Sequence, residues 1–122
     1  MVDKIEKLKQ ILSDLAKQDG VDGVLVVSRG GLVIASSLQR DIHEETFAAM
    51  SATMVGASTA GLAEYNKPAP DVFYVTGSGY GLIAIAAGER GLLVAMISDI
   101  NKMQGIATQM GELKDDIAEL VK

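Results

Sequence analysis

Hydrophobic residues recur at helical spacing in the first and the last segments of the chain. From Asp3 to Lys17 one stripe is apolar and the opposite face is charged, and the stripe consists of Ile5, Leu8, Leu12 and Leu15. The last segment has the clearest pattern, with apolar residues three and four apart: Met103, Ile106, Met110, Leu113, Ile117 and Leu120. Ser98 or Asp99 can cap its start. Both segments are predicted to be helices with one face to bury.

Five short apolar runs predict strands. They are Gly23–Ser28, Leu32–Ser36, Val72–Thr76, Leu82–Ala87 and Leu92–Ile97. The first run is continuously apolar, as expected for a strand covered on both faces. Arg29-Gly30-Gly31 and Gly88 to Gly91 are predicted hairpin turns, because glycine supplies the positive φ that such turns require. Short turns between consecutive strands predict antiparallel neighbours.

The stretch from Thr46 to Ala63 contains no charged residue and predicts a long middle helix, from about Asp41 or Ile42 to Tyr65. It carries two apolar rows. One row is Phe47, Met50, Met54, Ala57 and Gly61, and the second is Ala48, Ala52, Val55, Thr59 and Leu62. A helix that lies on a single sheet needs only one such face. Small residues at every fourth position would let another helix approach the spare face, namely Ala48, Ala52, Gly56 and Ala60.

Self-association is the favoured interpretation of this helix, and two alternatives compete with it. The first alternative is a helix buried wholly within its own domain, although the chain has few residues with which to surround such a helix. Membrane insertion is the other, and it requires about 20 predominantly apolar residues. The stretch instead holds several Ser and Thr residues and two glycines, so we expect no membrane insertion.

The predicted order of elements is α-β-β-α-β-β-β-α. Both outer helices offer a narrow stripe, so we expect them side by side on one face of a five-stranded antiparallel sheet. The middle helix then covers the other face. The fold class predicted for residues 1–122 is α/β, or more narrowly an α+β three-layer sandwich forming a single domain.

Composition narrows the possible functions. The 122 residues carry a net charge of −5 and a pI near 4.7, which argues against nucleic acid as a partner. Hydrophobic residues make up 48% of the chain, and this excess indicates apolar surface reserved for a partner. There is no cysteine, and the N-terminus lacks the apolar core of a signal peptide. We therefore expect a cytoplasmic protein.

The candidate catalytic groups are weak. The single histidine, His43, is expected to be a solvated residue near a helix start. The three carboxylates Asp115, Asp116 and Glu119 are expected to lie on a solvated helix face. Gly77 to Gly81 is rich in glycine, but a dinucleotide loop must lead into a helix, whereas a strand is predicted here. No phosphate-loop lysine pattern occurs in the sequence. We expect no enzyme activity, no cofactor and no metal.

The order of elements resembles the Roadblock family. The similar pieces are Gly23 to Ser28, Gly31 to Ser36, Gly91 to Met96 and the Ala/Gly/Met-rich middle helix. That family includes dynein light chains, subunits of the lysosomal GTPase scaffold, and bacterial and archaeal regulators of small Ras-like GTPases. The resemblance implies a profilin-like fold, a homodimer or heterodimer, and a GTPase or motor subunit as partner.

In dimers of that family the third strands pair across the two-fold axis and the middle helices pack together. Combined with the spare helix face, this gives a predicted homodimer interface of Phe47, Met50, Met54, Ala57, Gly61, Val72, Phe73, Tyr74 and Val75. The remaining edges of the helix pair would form a surface for a small GTPase. The residues predicted there are Arg40, His43, Glu44, Ser51, Ser58 and Thr59.

The favoured function is a non-enzymatic dimeric platform that binds a small Ras-like GTPase and regulates or positions it. One alternative is a structural adaptor in a motor or motility assembly that leaves the nucleotide state unchanged. A small-ligand sensor is a third possibility, although few aromatic or polar groups are available to line a pocket.

Overall fold

The structure is a computed structural model that describes residues 3–39 and 41–122. Its elements follow the predicted order. They are α1 (Lys4–Ala16), β1 (Val21–Ser28), β2 (Val33–Leu38), α2 (Glu44–Ala63), β3 (Val72–Thr76), β4 (Gly81–Ala87), β5 (Gly91–Ile97) and α3 (Met103–Leu120). The prediction of three helices and five strands is confirmed.

The five strands form one antiparallel sheet in the order β2-β1-β5-β4-β3. β5 is central, and its Val94 lies between Leu25 of β1 and Ala84 of β4. β2 and β3 are the two edge strands. Because short turns join β1 to β2, β3 to β4 and β4 to β5, the antiparallel pairing of these strands follows directly from the sequence.

The sheet separates two hydrophobic cores. On one face, α1 and α3 pack side by side through Leu8, Leu12, Met110 and Ile117 against alternate strand residues such as Val24. On the other face, α2 packs on the intervening strand residues, including Leu25. The continuous apolar run in β1 therefore serves both cores, as predicted, and the two-plus-one arrangement of helices is confirmed.

The boundaries of several elements differ from the prediction by one to three residues, and α2 is Glu44–Ala63 where about Asp41 or Ile42 to Tyr65 was predicted. β1 begins two residues early, because Val21 already pairs with Ile97 at the end of β5. β2 begins at Val33, because Leu32 still belongs to the turn, and it runs on to Leu38, because Leu38 pairs with Gly23 of β1. α3 is preceded by a short 3-10 turn in which the side chain of Asp99, one of the two predicted caps, accepts a hydrogen bond from the Asn101 backbone N–H.

Candidate interaction surface

The buried side of α2 is narrow. Ala48, Ser51 and Val55 are the helix residues that the chain itself buries. Two of them, Ala48 and Val55, come from the second apolar row of the sequence, so the first half of this row faces the sheet, whereas Leu62 near its end is 37% exposed. The first row lies further from the sheet, with Phe47 and Met54 at the border of the core and Met50, Ala57 and Gly61 exposed.

The five interface residues predicted on α2 are all accessible in the single chain. Met50 is 52% exposed, and Ala57 and Gly61 are exposed as well. Phe47 and Met54 are half-buried and pack at the border of the α2-side core. An apolar stripe therefore runs along α2, and among the described residues it is exposed at Met50, Ala57 and Gly61.

The edge strand β3 continues this apolar surface. Phe73 and Val75 are half-buried and pack against the same core as α2, the core to which Met54 also contributes. Tyr74 is 54% exposed, and Val72 packs toward the α1/α3 core on the other face. The four predicted strand residues thus divide between the two faces of the sheet. In the part of the chain that the structure describes, β3 has only β4 as a strand neighbour, so its outer backbone edge is unpaired.

Side-chain hydroxyl groups of α2 donate hydrogen bonds to backbone carbonyl groups of the same helix. Ser51 is only 1% exposed, and its Oγ donates to the Phe47 carbonyl at 2.9 Å. The prediction that Ser51 lies on a partner surface is therefore wrong, because the turn of the helix places it inside. Ser58 and Thr59 are half-buried and both donate to the Val55 carbonyl, at 2.9 and 2.8 Å.

The start of α2 contains the other predicted partner contacts. His43 is exposed and makes no capping bond through its side chain. Glu44 is half-buried, and its Oε1 accepts a 2.7 Å hydrogen bond from the Ser36 hydroxyl of β2. Glu44 therefore ties the helix start to the sheet. Arg40, also predicted as a contact, lies outside the described residues.

Two features of this surface were missed by the sequence reasoning. An apolar cavity of about 180 Å³ opens beside the start of α2, where Gly23 pairs with Leu38. At the opposite end of β1, the turn residue Gly31 lies close against Ala49 and Ala52. The small residues of α2 allow this turn to approach the helix closely. Each of these two contacts contains a glycine, Gly23 or Gly31, and these glycines were the signal available in the sequence.

Within residues 3–39 and 41–122, no three side chains of the metal-ligating types His, Cys, Asp and Glu come together as a site. Among the described helices, none combines the length and the apolar character that crossing a membrane requires. The surface of α2 and β3 is thus defined by apolar side chains and an open strand edge.

Solved structures with the same fold include MglB of Myxococcus xanthus, at 20% identity and a TM-score of 0.85, with 94% of each chain covered. The gliding protein MglB of Thermus thermophilus is 19% identical, with a TM-score of 0.87 and coverage of 98% of this chain and 92% of that one. An uncharacterized protein of Methanocaldococcus jannaschii is 30% identical over 94 residues, which span 77% of this chain and 82% of the relative. Residues 7–98 match the model of the Roadblock/LC7 domain. The chain belongs to the Roadblock/LC7 family.

Proposed function

We propose that this protein is a non-enzymatic dimeric platform that binds a small Ras-like GTPase and regulates or positions it. The observation that carries the proposal is the apolar band shared by α2 and the edge strand β3, with Met50, Met54 and Phe73 as its large side chains. A chain that leaves such a band uncovered gains free energy when a partner buries it.

A second copy of the chain is the proposed cover for this band. β3 has the sequence Val-Phe-Tyr-Val-Thr, without the charge or proline that commonly protects an edge strand from pairing. Two such edges pair antiparallel about a two-fold axis and extend the sheet from one subunit into the next. The same axis brings the two α2 helices alongside each other. Full burial of an exposed large apolar side chain contributes roughly 1.5–3 kcal/mol, and Met54 and Phe73, already half-buried, contribute less.

The GTPase would bind across the two helices of the dimer. After α2 pairs with its twin, the outer edges of the helix pair remain, with His43 at the ends and Ser58 and Thr59 along them. This surface is broad and low in charge, which suits a folded protein better than a metabolite. That the protein is a Ras-like GTPase is the implication of the family resemblance. Binding across both subunits makes recognition depend on dimerisation.

The test mixes the dimer with small GTPases of its own organism, each loaded with GDP or with a non-hydrolysable GTP analogue. Binding is measured by fluorescence anisotropy of the labelled nucleotide and by co-sedimentation. We expect nucleotide-sensitive binding that is lost in the variant Met54→Arg and retained in Lys114→Glu, whose change lies on α3. Equal binding by a monomeric variant, or no binding at all, contradicts the platform and favours the structural adaptor.

A further inference from the structure

The cavity beside the start of α2 has the size of one side chain. Its volume is about 180 Å³, and its lining is mostly apolar: Gly23, Leu25, Leu38, Ile42, Phe47 and Met96, with Asp22. Small-molecule sites usually occupy about 300–1,000 Å³. A buried apolar cavity of about 150 Å³ is already large enough for benzene. The dimensions therefore suit a single ring.

A tyrosine ring is available at the other end of the same helix surface. Tyr65, just after α2, is 79% exposed. It follows Phe47 by about five helical turns, and Met54 lies between them on the same side. The exposed stripe of α2 therefore ends in the cavity at one end and in an unpacked aromatic side chain at the other.

We infer that Tyr65 of a second copy fills this cavity in the dimer. The inference rests on the proposed dimer and adds the residue that each subunit contributes to the other. When two α2 helices lie antiparallel about an axis near Met54, Tyr65 comes opposite His43 and thus close to Ile42 and Phe47 on the cavity wall. Two-fold symmetry repeats the contact, so both cavities are filled at once.

A chain cannot fill its own cavity in this way. α2 spans Glu44–Ala63, which corresponds to a length of about 30 Å. Ile42 and Tyr65 flank the two ends of this helix, so their separation within one subunit is of that order. Only another copy brings the ring to the wall.

The chemistry of tyrosine suits this position. Its ring supplies a large apolar surface, and its hydroxyl group requires a polar neighbour or water when the ring is buried. Asp22 is the acidic side chain on the wall, and carboxylate oxygens accept several hydrogen bonds. Tyrosine is also among the residues that most often dominate the energy of an interface.

The test uses the absence of cysteine from the natural chain. In the double variant Ile42→Cys/Tyr65→Cys, mild oxidation should link two chains. Disulfide formation requires Cα atoms about 4.4–6.8 Å apart, so a link within one chain is excluded by the length of α2. We expect a covalent dimer on non-reducing gels, which returns to the single-chain mass on reduction.

The matched control is Ile5→Cys/Tyr65→Cys. Ile5 is 44% exposed but belongs to α1, on the opposite side of the sheet, so this pair should remain unlinked. Sedimentation of the reduced Ile42→Cys/Tyr65→Cys variant and of the parent chain gives the assembly state separately. A dimer in which the two introduced cysteines fail to link overturns the inference and leaves the dimer intact. A monomeric parent chain overturns both.

A second readout measures the contribution of the ring. Tyr65→Ala should raise the dissociation constant of the dimer about tenfold or more, because an aromatic anchor is lost. Tyr65→Phe retains the ring and should stay within a few-fold of the parent. Glu64→Ala, at the exposed neighbouring position, should leave the dissociation constant unchanged. If Tyr65→Ala dimerises as tightly as Glu64→Ala, the ring does not anchor the dimer and the inference is wrong.

Discussion

Gly31 in the first hairpin turn lies against Ala49 in α2. A Cβ atom added at Gly31 would come 3.1 Å from the Cα of Ala49, and Gly31 has a φ of +93°. The turn and the helix thus touch through backbone atoms. Because φ is positive and the space is filled, both the conformation and the close contact require glycine.

We expect Gly31→Ala to lower the free energy of unfolding by about 1–3 kcal/mol, since a residue with a side chain is strained at positive φ. The neighbouring Gly30 provides the control, because its φ is not positive and a Cβ there would meet only the Ser28 Oγ, at 3.9 Å. Gly30→Ala should be near neutral. Urea denaturation of both variants at one protein concentration measures the difference, and equal loss in both would contradict the assigned role of Gly31.

The purified chain should be a symmetric dimer. The expectation follows from the apolar band on α2 and β3, because in a two-fold dimer the same patch on each subunit packs against its counterpart and both are buried. Sedimentation equilibrium at micromolar concentration should give twice the chain mass of 12.8 kDa. A mass equal to that of a single chain under these conditions would contradict the predicted dimer.

Two substitutions on the outer side of α2 should disrupt the dimer. Met54→Arg and Gly61→Glu place a charge where the helices meet, and burying an unpaired charge costs several kcal/mol. In the single chain nothing lies within 4 Å of a Cβ built on Gly61, so Gly61→Glu should fold normally and lose only assembly.

Size-exclusion chromatography with light scattering, together with circular dichroism, separates these effects. Lys114→Glu on α3 is the control and should remain dimeric. If both α2 variants assemble like the parent, the interface lies elsewhere on the molecule.

The protein alone should neither bind nor hydrolyse GTP. Its sequence has no phosphate-loop lysine pattern, and its glycine-rich segment from Gly77 leads into β4, whereas a phosphate-binding loop leads into a helix. Isothermal titration with GTP and magnesium should give no saturable heat. A micromolar dissociation constant would point instead to a nucleotide enzyme.

The sequence was sufficient to predict the elements in which the spacing of apolar residues marks the buried face. The stripe containing Ile106, Met110 and Ile117 specifies α3 completely, because each of these residues is buried. The continuous run in β1 likewise required cover on both faces, which the two cores supply. These predictions rest on local periodicity, and periodicity is visible in the sequence alone.

The orientation of α2 could not be read in the same way. Its two rows are almost equally apolar, so composition could not decide which row meets the sheet. Ser51 was assigned to the partner surface as a small polar contact, whereas its hydrogen bond to the Phe47 carbonyl lets it be buried. The cavity was invisible as well, since residues distant in sequence, Leu38 and Met96 among them, form its walls.

The hydroxyl groups on α2 have a consequence for the choice of partner. The side chains of Thr53, Ser58 and Thr59 already donate to carbonyls of their own helix. An incoming helix therefore meets mainly methyl and methylene groups and few donors that demand an acceptor in a fixed direction. In the proposed dimer the contact between the two α2 helices would therefore discriminate mainly by shape and volume, and a related chain with the same profile of small and large residues on α2 would fit this helix contact as well.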